Sequence, residues 1–444
     1  MSGPKLHEIW PTTSIGRSSY LRGRIGWQGL KAAEFIDEGP FLVTGTDFFG
    51  GRINWDTCYH VSEERFAEAA YIHLRDGDLL VTKDGSIGKV AHVENCPPKA
   101  VLNSGVFLLR SRDGLYDHRY MFYVLQSDLF RRFLENNLAG STIQHLYQYI
   151  FERFTFATPD QKEQSGIAEV LTTVDRAIEL TAALIRKKRR IRVGLMLDLL
   201  SRGIDEHGNL RSEETHQFKD SPLGRIPVEW EVRDLQSLLA NVYPSMRSGP
   251  FGSALLKEEF VDSGVPLLGI DNVFPERFVP EFKRFVSKKK AFQLQRYRVR
   301  PRDLMITIMG TVGRCCVVPD NIGEALSSKH VWTVSLNRAL YSPYLACLQI
   351  NYSPWVRNHF AQDEQGGIMA SVRSETLRTT RLPVPSLPEM SRIEGVLRAI
   401  ADDLWQNERL MGKLALVRTG LMQDLLTGNC RVTALLEPCE VVTG

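Results

Sequence analysis

An α+β fold is expected of these 444 residues, in which two globular α/β domains are separated by two long helices packed as an antiparallel coiled coil with a pseudo-two-fold internal repeat. Two observations predict it. The first is a recurrence 225 positions apart: Glu34-Phe35-Ile36-Asp37-Glu38-Gly39 reads again as Glu259-Phe260-Val261-Asp262-Ser263-Gly264. At the same offset, Gly77-Asp78-Leu79-Leu80-Val81-Thr82 with Gly85-Ser86-Ile87-Gly88-Lys89 matches Arg302-Asp303-Leu304-Met305-Ile306-Thr307 with Gly310-Thr311-Val312-Gly313-Arg314. One residue further on, Gly140 meets Gly366, Pro159 meets Pro385, Glu163 meets Glu389 and Asp198 meets Asp424. Repeats of this kind fix an architecture before any motif does. The second observation is a heptad seam: Ile167, Leu171, Val174, Ile178, Thr181 and Ile185 alternate spacings of four and three, which keeps one stripe facing a partner. The pattern returns in Ile393, Leu397, Ile400, Leu404, Asn407, Met411 and Leu414, and both stretches close on Gly-Leu-Met-x-Asp-Leu-Leu-Ser/Thr, so the partner is expected within the chain.

Taken in order, residues 1–158 form the first domain, 159–202 the first long helix, 203–230 a linker, 231–385 the second domain, 386–428 the second long helix and 429–444 a loosely ordered tail. In the first domain 79–82, 90–93 and 106–110 read as short strands between glycine-rich turns. Residues 119–136 read as a helix with Met121, Val124, Leu125, Leu129 and Phe133 on one face. The second domain repeats this with strands at 303–308, 315–318 and 331–336 and a helix near 343–360. Gly203, Gly208, Pro222, Gly224 and Pro227 give 203–230 the composition of a connector.

Hydrophobic residues at 43% and charged residues at 24% describe an ordered chain, long enough for several cores. The start lacks a basic segment followed by an apolar run, and no stretch is apolar over the roughly 18 to 20 residues that span a bilayer, so no membrane role and a cytoplasmic location are expected. Seven scattered cysteines without C-x-x-C spacing point to reduced thiols and not to a metal site. The net charge of +3 is uneven: residues 222–388 carry +6, concentrated in Lys283, Arg284, Lys288, Lys289, Lys290, Arg296, Arg298, Arg300 and Arg302. Taken alone, such a run is most simply a solvated edge.

No active site emerges. The turn at Gly85-Ser86-Ile87-Gly88-Lys89 lacks both the glycine spacing and the Ser/Thr after Lys of a P-loop. No G-x-G-x-x-G follows a strand, which leaves a methyl-donor loop unsupported. Asn351-Tyr352-Ser353-Pro354 lacks the prolines of an amino-methyltransferase motif and reads as a helix kink. Catalysis is not expected in this chain.

The Leu-Leu-Ser/Thr endings, the connector phrase from Lys219-Asp220-Ser221-Pro222-Leu223-Gly224-Arg225 to Trp230, the strand phrases GDLLVTKDGSIGK and RDLMITIMGTVGR and the proline-to-glutamate helix entries resemble the specificity subunit of type I restriction-modification enzymes, over almost the whole chain. The second helix entry departs from that pattern, with Met390-Ser391-Arg392 where the first keeps Glu163-Gln164. The resemblance implies a non-catalytic subunit with two target-recognition domains, each reading one half of a split, asymmetric site in double-stranded DNA, with the helices fixing the spacer. It implies as partners two methyltransferase (modification) subunits on the helices and two restriction/translocase subunits in the complete enzyme. S-adenosylmethionine, ATP and Mg are then expected on those partners, with no cofactor in this chain.

Physically, Arg and Gln can pair with guanine and adenine edges, and basic residues after a glycine turn suit phosphates. The expected DNA contacts in the first domain are Arg22, Arg24, Gln28, Lys31, Lys89, Ser141, Thr142, Gln144 and His145. In the second they are Ser245, Arg247, Ser248, Lys257, Lys288, Lys289, Lys290, Arg314, Ser371 and Arg373. The competing reading is a coiled-coil scaffold whose domains bind proteins; a self-contained methyltransferase lacks its motifs. The basic run at 186–190 has no equal in the second copy.

Overall fold

In the computed structural model, residues 10–24, 30–138, 145–364 and 371–432 are described, and the chain divides into two units. The first comprises 1–183 with 408–444 and the second 184–407, so each unit holds one globular domain together with parts of both long helices.

The first unit is built on a sheet of β1 (Ser19–Gly23), β2 (Phe48–Phe49), β3 (Arg52–Ile53), β4 (Leu79–Thr82), β5 (Val90–His92) and β6 (Val106–Ser111), ordered β1-β6-β4-β5-β3-β2. Strand period two explains the burial of β4 on both faces. Leu79 and Val81 enter a core with Phe107, Tyr120, Met121 and Phe130, while Leu80 enters another with Leu42, Val101 and Leu102. The expected helix is two, α1 (His118–Gln126) and α2 (Asp128–Leu138). Ser127 breaks it with extended backbone, and its hydroxyl donates to the Val124 carbonyl at 2.6 Å. A 41-residue helix, α3 (Gln161–Ser201), follows.

The second unit repeats the plan. Strands β7 (Met246–Ser248), β8 (Val273–Phe274), β9 (Arg277–Phe278), β10 (Leu304–Thr307), β11 (Cys315–Val317) and β12 (Val331–Val334) precede helices α4 (Pro343–Tyr352) and α5 (Pro354–Glu364). One four-stranded sheet runs β7-β12-β10-β11, and Leu304 and Ile306 face one core while Met305 faces another, as in β4. The break at Ser353 is where proline removes the helical N–H and disfavours helical backbone before it. The second long helix, α6 (Leu387–Thr427), also has 41 residues.

The long helices pair in opposite directions. In the first unit Arg418 of α6 is bonded to Asp175 of α3 at 2.5 Å, and Ile167, Leu171, Met422 and Leu425 share one core. In the second, Lys188 pairs with Asp403 at 2.5 Å, and Met196 and Leu199 share a core with Ile393 and Leu397. From the basic run Arg186, Lys187 and Arg190 are exposed, whereas Lys188 is taken up by that pair.

Each long helix enters through a buried glutamate. Glu163 accepts the Val432 N–H at 2.9 Å and the Arg431 guanidinium at 3.1 Å. Its counterpart Glu389 accepts the Ile204 N–H and the Trp230 indole N–H, each at 3.1 Å, and pairs with Arg211. Gly203, at φ +67°, is required here, since a Cβ would lie 2.1 Å from the Glu389 carboxylate. Residues 203–230 are more than a polar connector: they contain the hairpin of strands Phe218–Ser221 and Gly224–Pro227 and the fully buried Trp230. Of the Glu163-Gln164 pair, the second entry keeps the glutamate as Glu389 and exchanges the glutamine. Gln164 bonds the Asp117 N–H at 2.8 Å, and Met390 stands in the same register within an apolar core. Of the expected tail, Val432 is fully buried and 433–444 lie outside the described residues.

Candidate nucleic-acid interface

The recurring glycine phrase builds the same turn twice. In the first unit the Thr82 hydroxyl donates to the Ser86 carbonyl at 2.5 Å and accepts the Lys89 N–H at 2.9 Å. Gly88, at φ +81°, lies so close to α2 that a Cβ would stand 2.3 Å from Leu134. In the second unit the Thr307 hydroxyl donates to the Thr311 carbonyl and accepts the Arg314 N–H at 3.0 Å. The threonine satisfies the turn's own backbone, which is what an unpaired stretch between strands requires.

Next to each turn an incoming segment docks by one backbone bond, Leu146 N–H to the Lys83 carbonyl at 2.9 Å in one unit and Val372 N–H to the Ile308 carbonyl at 3.3 Å in the other. Shared backbone therefore presents different chemistry. The first edge carries Lys83, Asp84 and His145; the second, in the same register, carries Ile308, which is buried, with Met309 and Ser371. The His145 ring is bonded to the Asp84 carboxylate. Lys83 lies 4.9 Å from the Phe107 ring centre, and burial pulls its pKa below the ordinary lysine value. Lys83 was not among the expected contacts, although its replacement by isoleucine in the second copy marks it as a point of divergence.

Most of the described expected contacts are exposed or half-buried. Arg22 is exposed on β1, Lys31 and Lys89 are exposed, and His145 is half-buried at the turn. In the second unit Lys257, Lys288, Lys289 and Arg373 are exposed, and Ser245, Ser248, Ser371 and Arg314 are half-buried, with the Arg314 guanidinium 5.7 Å from the Phe274 ring centre. Gln28, Ser141, Thr142 and Gln144 lie outside the described residues.

Two expected contacts are corrected to structural roles. Arg24 is buried and donates Nε–H to the Leu102 carbonyl at 2.9 Å, and desolvation lowers its pKa. Arg247 is buried, paired with Asp303 and bonded to the Arg298 carbonyl at 2.8 Å, with desolvation again the main cause of a lowered pKa. Burial and these bonds give both guanidiniums a role in holding the fold. Lys290 is also drawn inward, to Glu259 at 2.7 Å, which leaves Lys288 and Lys289 as the exposed part of that run.

The first unit also has a cleft of about 1040 Å³, bordered by the β2–β3 hairpin, the glycine turn, α1, α2 and the long helices. Lys89, Arg119, Arg131 and Arg176 reach it, against Glu94, Asp175 and Glu179. In its wall Tyr123 donates to Asp175 at 3.0 Å, and desolvation pushes its hydroxyl to about 12. Among the described residues no group of three or more His, Cys, Asp or Glu side chains is arranged to hold a metal ion, and no helix is long and apolar enough to cross a membrane.

Comparisons with known proteins agree with one another. Residues 33–187 match the family described as the type I restriction modification DNA specificity domain. The chain is 24% identical over 453 residues to the MjaVIII specificity subunit of Methanocaldococcus jannaschii, covering 98% of this chain and 96% of that one. It is 22% identical to the EcoBI specificity subunit of Escherichia coli, over 87% of this chain and 78% of the other. In fold it resembles the S subunit of a type I restriction-modification system from M. genitalium, with a TM-score of 0.56 at 17% identity over 96% of this chain and 98% of that chain.

Proposed function

We propose that this chain, a type I restriction-modification specificity subunit, reads one half of a bipartite, asymmetric DNA site with each of its two domains. The observation that carries the proposal is the pair of glycine-turn edges, alike in backbone and unlike in side chains. A fixed scaffold with exchanged surface residues is what two sites of common build and separate specificity require. Arg22, Lys31, Lys89 and His145 serve the first half-site; Ser248, Lys257, Lys288, Lys289, Arg314, Ser371 and Arg373 serve the second. The exposed lysines supply phosphate contacts, and their contribution falls with salt.

The long helices act as a spacer and a docking site. Forty-one residues at about 1.5 Å each extend roughly 60 Å. Their outer faces carry large exposed apolar residues, Leu180, Leu410, Leu416 and Val417 in the first unit and Ile191, Val193, Leu197 and Trp405 in the second. Apolar surface of that kind suits partner helices. Methyltransferase subunits are proposed to dock there and bring S-adenosylmethionine, with ATP- and Mg-dependent restriction subunits joining the complete complex. This chain supplies the recognition and no chemistry.

Inserting one heptad into α3 at 174–185 tests the spacer. The complex should then select the same two half-sites from a duplex library with a longer gap between them; an unchanged gap refutes the role of the helices. Binding that is also insensitive to salt would favour a protein scaffold.

A further inference from the structure

Beside the first glycine turn three rings form a ladder that no core uses. His145 meets Tyr147 edge-on with ring centres 4.7 Å apart, and Tyr147 lies nearly parallel to Tyr149 at 5.7 Å and 29°. The Arg153 guanidinium caps the row, 5.7 Å from the Tyr149 ring centre. The residue between the first two rings, Leu146, is fully buried, and its N–H is bonded to the Lys83 carbonyl, so the segment is anchored inward while the rings are held outward. Tyr147 and Tyr149 remain 52% and 57% exposed. Leaving two such rings in water forgoes much of the apolar stabilisation they could give the fold.

The second unit supplies the contrast. Its Val372 docks through the equivalent backbone bond, yet the positions in register with the three rings are Ser371, Arg373 and Glu375. The ladder is therefore a property of one domain's surface and not of the shared scaffold.

We infer that Tyr147 and Tyr149, steadied by His145 and Arg153, contact duplex DNA at the first half-site, an inference that rests on the DNA-reading role proposed above. Ring faces suit deoxyribose and thymine methyl groups, and the phenolic hydroxyls suit phosphate oxygens. Tyrosine adds contact area with only two side-chain torsions to fix, and here the rings already order one another. Arg153 is the cation on the ladder, and the acids beside it are hydrogen-bonded, Asp84 to His145 and Glu152 to the Gln148 amide at 2.8 Å.

The test is selection from a randomised duplex library by the full chain with its methyltransferase partner, comparing the wild type with Y147A/Y149A and Y147F/Y149F. The alanine pair should blur one half-site and weaken binding about tenfold, leaving the other half-site and the gap unchanged. The phenylalanine pair should retain most of the preference. A folded alanine variant that returns the wild-type motif at wild-type affinity overturns the inference, as does loss of methyltransferase binding with the motif intact. Should the double variant fail to fold, Y149A alone carries the same comparison. A wild-type chain that selects no motif would sink the DNA-reading role itself, a result distinct from failure of the ladder.

Discussion

The two units hold corresponding hairpins in different ways. In the second, the tip between β8 and β9 carries Glu276, which takes the Tyr352 hydroxyl at 2.6 Å and pairs with Arg192 of α3. In the first, the residue 225 positions earlier is Gly51, and the arginine in register with Arg192 is Arg418, bonded instead to Asp175 at 2.5 Å and Gln126 at 2.7 Å. The arginine is kept and its acid has moved from the hairpin to the helix. Gly51 cannot take the glutamate back, because a Cβ there would lie 2.6 Å from the Phe122 ring, where the second unit has the smaller Cys347. One hairpin is thus clamped to its helix, whereas the other borders an open cleft. Its charged ties, Arg52 to Glu94 at 3.2 Å and to Glu179 at 3.6 Å, are pairs about half exposed and worth little. Duplication has preserved the scaffold's own bonds and left the attachment of the hairpin free to diverge.

The helix entries, where both units keep the same device, set the scale for that contrast. Glu389→Ala should cost about 3 to 5 kcal/mol in denaturant unfolding, since it leaves Arg211 buried without its carboxylate. Glu163→Ala should cost less, about 1 to 3 kcal/mol, because Arg431 is 44% exposed and keeps water. Equal losses would mean that the entries are not graded by burial. Next in size, Glu276→Gln with Tyr352→Phe should cost about 1 to 3 kcal/mol and speed amide exchange at 273–278. Arg418→Ala should leave exchange at 48–53 unchanged; faster exchange there would break the comparison. The smallest effect is one of pH. Burial, then the neighbouring His92, holds the His118 pKa below its ordinary value, with the two rings 4.8 Å apart. Its contribution to stability is therefore complete above about pH 6.5 and is lost as pH falls toward the lower folded value. His118→Gln should flatten that part of the stability curve, and an unaltered curve would assign the slope elsewhere.

The repeat and the helix seam made the architecture legible, because duplicated phrases and heptads are statements about backbone and packing. Strands at 79–82 and 106–111 and both 41-residue helices lie close to their expected bounds. The breaks at Ser127 and Ser353 were harder. Apolar spacing runs through the first, and the proline that explains the second reads in sequence as a kink within one helix. The site was less legible. Arg24 and Arg247 look like base readers in a loop sequence, and only their carbonyl and carboxylate partners reveal them as supports. Glu276 carries no local signal at all; its meaning depends on Arg192, which is 84 residues away in the chain.

Each unit is proposed to read one half-site independently. The most direct test is motif selection by the complex carrying an exchange of residues 25–31 from a homologous chain, with Arg22 and the buried Arg24 left in place. One half of the selected sequence should change while the other half and the gap persist. Selection of both original halves, or a change in both, would contradict it.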